Sequence, residues 1–216
     1  MQDFIMVTGM VISQIPIGEY DRRVCILTKE RGKISAFAKG ARRPGNRFMA
    51  ATNPFSFGQF KLYEGKNSYT VAEANISQYF EELRKDYIGA YYGMYFLEVA
   101  DYYTRENNDE REMLKLVYQS MRALLHPSFS HDFVKCIFEI KAVAVNGEYP
   151  GVPTDAQWDA STVYAVEYIA ASSVEKLYTF SVTEKVLEEM KKIAKKYRKR
   201  FMDNEFKSLE ILKTLQ

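Results

Sequence analysis

The first 80 residues break into five short runs rich in β-branched and aromatic side chains, each cut off by a turn signal. Phe4 to Ile15 stops at Pro16-Ile17-Gly18, and Arg22 to Thr28 stops at Glu30-Arg31-Gly32. A third run, Gly32 to Lys39, is broken by Gly40 and then by Pro44-Gly45-Asn46. Phe55 to Tyr63 has Phe55, Phe57 and Tyr63 on one face, and Glu64-Gly65-Lys66-Asn67 joins it to a fifth run, Ser68 to Ile76. Strands this short, joined by tight turns, close into a small barrel or pack as a sandwich.

After Tyr79 the period changes. Residues 81–106 place apolar side chains at helical spacing, as at Tyr92, Tyr95, Phe96 and Val99. Asn108 or Asp109 caps a second helix that runs to about His126, where Pro127 ends it. Asp132 to Asn146 forms a third, closed by Gly147. Residues 155–171 are ambiguous, while Ser172-Ser173-Val174-Glu175 and Ser181-Val182-Thr183-Glu184 each resemble a capping box. A last long helix covers about 183–202. The expected class is α+β in two domains: an N-terminal five-stranded β-barrel over 1–80, then an all-α helical domain over 81–216.

The bulk numbers bound the function. With 16 tyrosines and 14 phenylalanines in 216 residues the chain can bury a sizeable core. The net charge of +2 hides a polarity: about +5 over 1–80, −7 over 81–183 and +4 over 184–216. Two basic ends around an acidic middle suggest a polyanion partner for the ends. Cys25 and Cys136, far apart in apolar runs, read as buried free thiols in a reducing compartment. The start carries no basic leader and no apolar run reaches the roughly 20 residues of a membrane span, so no membrane contact and a cytoplasmic location are expected.

The stretch Gly32–Arg47 carries the functional reading. Ile34, Ala36 and Ala38 alternate with Lys33, Ser35, Phe37 and Lys39, which puts the aromatic ring on the same face as two cations. Bases stack on rings while phosphates pair with lysine and arginine, so this is the pattern of a nucleic-acid face. A bulge in the strand would instead turn Phe37 into the core. The following loop sets Lys39, Arg42, Arg43 and Arg47 around two glycines and a proline, which suits close approach of phosphate. The same composition fits an ordinary solvated loop. Position favours the first reading, because barrels of the OB type bind oligonucleotides on the strand 2–3 face and the neighbouring loops. The candidate DNA-binding residues are therefore Lys33, Phe37, Lys39, Arg42, Arg43 and Arg47, with Arg22 and Arg23 on the adjoining strand.

Other constellations read as structure. The lysines and arginines of the last helix suit either a second phosphate-tracking surface or a solvated face whose charges complement the helix dipole. His126 and His131 flank Pro127 in a loop and lack partners at metal-ligand or catalytic spacing. No P-loop, nucleophile elbow or paired carboxylates occur, so a non-enzymatic protein is expected.

Several strings resemble one family. Gly18-Glu19-Tyr20-Asp21, Leu27-Thr28-Lys29-Glu30-Arg31-Gly32-Lys33 and Ala36-Phe37-Ala38-Lys39-Gly40-Ala41-Arg42-Arg43 are similar to the N-terminal signature of RecO, the bacterial recombination mediator. Pro54-Phe55-Ser56-Phe57-Gly58 and Leu62-Tyr63-Glu64-Gly65 continue it. Tyr95-Phe96-Leu97-Glu98, Phe138-Glu139-Ile140-Lys141 and Lys207-Ser208-Leu209-Glu210 look like helical-domain landmarks of the same family. The resemblance implies an OB fold followed by helices, a nucleoid-associated role in DNA repair and recombination, and binding of single- and double-stranded DNA. It further implies strand annealing and work with RecR to load RecA onto DNA coated by single-strand-binding protein (SSB), whose C-terminal tail many members bind. The alternative is a protein-interaction adaptor on an OB scaffold without annealing activity. Many members carry a four-cysteine zinc site after the Phe-Glu-Ile-Lys helix; here residues 147–180 contain no cysteine. The expectation is a member without metal or other cofactor, in which Trp158, Tyr164 and Tyr168 pack in place of zinc.

Overall fold

The computed structural model describes residues 4–65 and 68–215, so Lys66 and Asn67 of the expected hairpin loop lie outside the described residues. The chain divides into two compact units, Met1–Arg84 with Tyr103–Leu114, and Lys85–Tyr102 with Lys115–Gln216.

The first unit is built on five strands, β1 (Phe4–Ile17), β2 (Asp21–Thr28), β3 (Gly32–Ala38), β4 (Phe57–Glu64) and β5 (Tyr69–Gln78). They close into a barrel in the order β1-β2-β3-β5-β4, all neighbours antiparallel except β3 and β5. That order is an OB-type barrel. Alternation fills it: Val7, Val11, Val24, Ile26, Ile34, Ala36, Ala38, Phe60, Leu62, Tyr69 and Val71 point inward. Each of the larger ones, valine and above, contributes about 1.5–3 kcal/mol on leaving water, and each alanine methyl about 0.8 kcal/mol. A bulge between Val11 and Ser13 carries β1 past its last partner on β4, Met10↔Phe57, so Gln14 to Ile17 pair with β2 alone. Pro16 is tolerated there because that stretch has only one neighbour.

A short helix the periodicity did not reveal, α1 (Phe48–Ala51), sends Phe48 into the barrel core. Strand four starts later than expected. Phe55 lies before it with φ +74°, and the inward residues are Phe60 and Leu62, of opposite parity to Phe57 and Tyr63. Residues 105–107 dock on the start of β3: Arg105 O accepts from Lys33 N–H at 3.0 Å and Arg31 O from Asn107 N–H at 3.0 Å. Only glycine fits at Gly32, which has φ +64° and where a Cβ would meet Arg105 O at 2.3 Å.

The remaining α-helices among the described residues are α2 (Glu81–Lys85), α3 (Tyr87–Tyr103), α4 (Arg111–Leu124), α5 (His131–Val145), α6 (Ala160–Ala171), α7 (Glu184–Phe201) and α8 (Lys207–Leu215), with a 3-10 turn at Val174–Lys176 between α6 and α7. The expected helix 81–106 is split because Asp86 caps α3, its Oδ1 accepting from Gly89 N–H at 3.0 Å. Ser130 caps α5 through Phe133 N–H, which makes His131 the first residue of a helix rather than part of a loop. Asp159 caps α6, resolving the ambiguous stretch, and the cap of α7 is Thr183, two residues after Ser181.

In the second unit Phe96 of α3 stacks on Phe138 of α5 at 4.1 Å. The buried Glu139 Oε1 accepts from Arg198 Nη1 and from the Tyr95 hydroxyl, each at 2.6 Å. That carboxylate ties α3 and α5 to α7. Residues 147–180 are held by two of the three expected rings, Trp158 and Tyr168, and by Tyr197. Trp158 Nε1–H donates to Pro153 O at 2.7 Å, the Tyr197 hydroxyl donates to Gly151 O at 2.8 Å, and Tyr168 packs edge-on to Phe180. Tyr164 is 72 % exposed and only stacks loosely on Tyr168, with ring centres 6.3 Å apart. Cys136 is buried, with its thiol pushed up to about 12 by desolvation. Cys25 is half-buried, on the outer face of β2.

Candidate nucleic-acid interface

The pairing of β2 with β3 runs without a bulge from Arg22↔Ala38 to Thr28↔Gly32, so the side of every residue is fixed. Phe37 shares the outer face with Lys33 and Ser35, each half-buried, and does not turn into the core. Across the strands Phe37 is flanked by Arg23 on β2 and Thr70 on β5, and Arg23 in turn by Ile15 on β1. The result is an outward row, Ile15, Arg23, Phe37 and Thr70, with Ile15 48 % exposed.

The loop after β3 is pinned. Gly40 N–H donates to Asp21 Oδ1 at 2.7 Å, Arg42 N–H to Tyr20 O at 2.8 Å, and Arg42 Nη1 to Gly18 O at 3.2 Å. Successive turns carry the chain on, Arg43 N–H to Gly40 O and Asn46 N–H to Arg43 O. The Arg43 guanidinium lies 4.7 Å over the ring of Tyr20. Glu19 beside the Tyr20 hydroxyl pushes that phenol further up from its ordinary value. Lys39, Arg42, Arg43 and Arg23 are exposed, and none of them has a carboxylate within ion-pair distance among the described residues. A rigid loop bearing unpaired cations loses little entropy when an anion docks.

Two predicted residues serve the fold as well. Arg22 shares the parity of Val24 and Ile26, so it points to the mouth of the barrel while Arg23 points out. Its Nη1 donates to Met49 O at 2.8 Å, Thr52 Oγ1 at 2.9 Å and Asn53 Oδ1 at 3.0 Å, clamping the end of α1. Desolvation, and then the neighbouring charge of Arg42, lower its pKa. Arg47 Nη2 donates at 2.6 Å to the carbonyl of Ala72, the residue left over at the β5 bulge where Leu62 pairs Val71 and Lys61 pairs Glu73. Its guanidinium also covers the Phe48 ring at 4.8 Å.

The sequence reading missed Ile15, Tyr20 and Thr70. Tyr20 was hidden in a turn, and Ile15 and Thr70 depend on cross-strand register. Among the described residues no group of three or more His, Cys, Asp or Glu side chains could hold a metal ion, and no helix is long and apolar enough to cross a membrane. Residues 147–180, without cysteine or histidine, do not fit a zinc ion.

Comparison with known proteins agrees with this architecture. Residues 1–80 match the family model "Recombination protein O N terminal" and residues 84–157 match "Recombination protein O C terminal". A DNA repair protein RecO of Acetivibrio thermocellus is 28% identical over 246 residues, covering 99% of this chain and 98% of that protein. The RecO of Alkaliphilus metalliredigens is 27% identical, with 98% and 99% covered, and that of Clostridium novyi is 26% identical, with 92% and 89% covered. With both family models matched in order and relatives aligned almost end to end, the chain belongs to the RecO family.

Proposed function

We propose that this chain is a DNA-binding recombination mediator that acts without covalent chemistry. The observation that carries the proposal is a set of exposed cations without an ion-pair partner among the described residues, Arg23 beside the outward Phe37 on the strand 2–3 face of an OB barrel and Lys39, Arg42 and Arg43 on the pinned loop that follows. The cations neutralise phosphates and release counterions, and Phe37 offers a flat face to a base. Lys33 extends the charged face along β3, and the free donors of Arg47 extend it along the loop.

Annealing follows from the same electrostatics. Two complementary strands repel until their phosphates are screened, and a surface that screens both lowers the barrier to pairing. In this reading the chain anneals strands, binds duplex as well as single-stranded DNA, and works in the cytoplasm at the nucleoid. Family membership supports joint action with RecR in loading RecA onto SSB-coated strands, with the SSB tail as a contact. The test is annealing of complementary strands coated with SSB, comparing the chain with its K39A/R42A/R43A variant. The proposal expects fast annealing by the first and loss by the second; equal rates would refute it, and pull-down of partners with no annealing by either would mark an adaptor.

A further inference from the structure

The cations of α7 divide into two classes. Lys185 pairs with Asp159 at 2.7 Å, Lys191 with Asp132 and Glu188 at 2.8 Å each, and Arg198 with Glu139 at 2.6 Å. Lys192, Lys195 and Lys199 are exposed and have no carboxylate within ion-pair distance among the described residues. Their spacing of three and four residues puts them on one helix face, spread over about 10 Å. The helix dipole does not account for them, because its effect fades within the last turn and Lys192 and Lys195 lie further in.

These lysines line a groove of about 470 Å³ with the indole of Trp158. The ring is immobilised by its N–H bond to Pro153 O at 2.7 Å. Lys196, with its ammonium 5.3 Å from the ring centre, is held by both Asp155 oxygens at 2.6 Å. Glu189 also lines the groove, its Oε2 accepting from Asp159 N–H at 2.9 Å and Thr162 Oγ1 at 2.6 Å, so its one negative charge stands against the three exposed lysines. Trp158 and α7 lie beyond residue 157, where the match to the C-terminal family model ends.

A fixed aromatic plane beside a row of unpaired ammonium groups is what a single strand needs, one face for a base and point charges for successive phosphates. The rest of the lining, Ala156 and Gln157, forms no deep apolar pocket for the side chain of an acidic peptide. We infer that this groove is a second single-strand contact, held by the helical unit itself. The inference deepens the DNA-binding reading and rests on it.

Trp158 is the one tryptophan of the chain, so its emission reports the groove alone. A short oligothymidylate is titrated into the full chain, with binding followed by fluorescence anisotropy of the labelled oligonucleotide and groove occupancy by Trp158 quenching. The expected result is saturable quenching that persists in K39A/R42A/R43A and is lost in K192A/K195A/K199A, whose helicity is checked by circular dichroism. Anisotropy in the second variant still rises, with a salt slope lower by about 2. Unchanged emission at DNA concentrations that saturate the anisotropy would overturn the groove and leave the barrel site standing. Equal quenching by an oligoglutamate peptide would overturn it in favour of an acidic-peptide site. Anisotropy unaffected by K39A/R42A/R43A would instead count against the barrel reading.

Discussion

Replacing Arg22 and Arg23 one at a time separates fold from function at adjacent positions. The pleat puts Arg22 toward the barrel mouth, where the two hydrogens of Nη1 are shared among Met49 O, Thr52 Oγ1 and Asn53 Oδ1. Hydrogen bonds to a charged donor are worth about 1.5–3 kcal/mol each, and sharing keeps the total from tripling. Arg22→Ala should therefore cost about 2 kcal/mol, roughly a thirtyfold rise in local opening. Arg23 is exposed, without an ion-pair partner among the described residues, so Arg23→Ala should change stability by no more than about 0.5 kcal/mol. Hydrogen-exchange mass spectrometry on peptides spanning β2 and α1 reads both. The expected pattern is faster exchange in R22A with R23A near the parent, while R23A lowers the salt slope of single-strand binding by about 0.7. Unchanged protection in R22A, or loss of protection in R23A, would refute the assignment of faces.

Gly32→Ala forces a Cβ to within 2.3 Å of Arg105 O at φ +64°, and should cost about 2–3 kcal/mol, seen first as faster exchange in residues 103–110. Glu139→Gln strands the Arg198 guanidinium, only 16% exposed, and should lower the melting temperature followed by Trp158 emission by about 10 °C. The hydrogen bond from Lys185, with that from Ser161 N–H, holds the Asp159 carboxyl at about 2. A carboxyl depressed in the folded state stabilises fully above its ordinary value near 4, and that contribution is lost as pH falls toward about 2. Protection of the first turn of α6 should fall over that window in the parent chain and be flat in Asp159→Asn.

Much of the barrel was legible because its strands obey period two. Ile34, Ala36 and Ala38 set the inner face of β3 before any register was known, and so set Phe37 outside. The same rule, applied to Val24 and Ile26, separates Arg22 from Arg23, yet composition alone joined them as one basic pair. What escaped depends on tertiary contacts. A four-residue helix such as α1 is too short to show periodicity, and it is held by tertiary contacts, its buried Phe48 and Ala51 and the Arg22 clamp. The break at Asp86 was carried by one side chain bonding back to Gly89. Tyr164 read as packing because tyrosine usually buries its ring, but on α6 it faces solvent. The groove at Trp158 could not be seen, since residues 158 and 192–199 meet only in the folded unit.

The central claim is that the cations of the pinned loop after β3 hold phosphate. Its most direct test is the salt dependence of single-strand affinity, measured by fluorescence anisotropy for the full chain and for K39A/R42A/R43A. With about 0.7 counterions released per phosphate on a single strand, loss of three contacts should lower the slope of log K against log salt by about 2, with weaker binding at every low-salt point. Identical slopes and affinities for the two proteins would contradict the account and move the DNA site off the barrel.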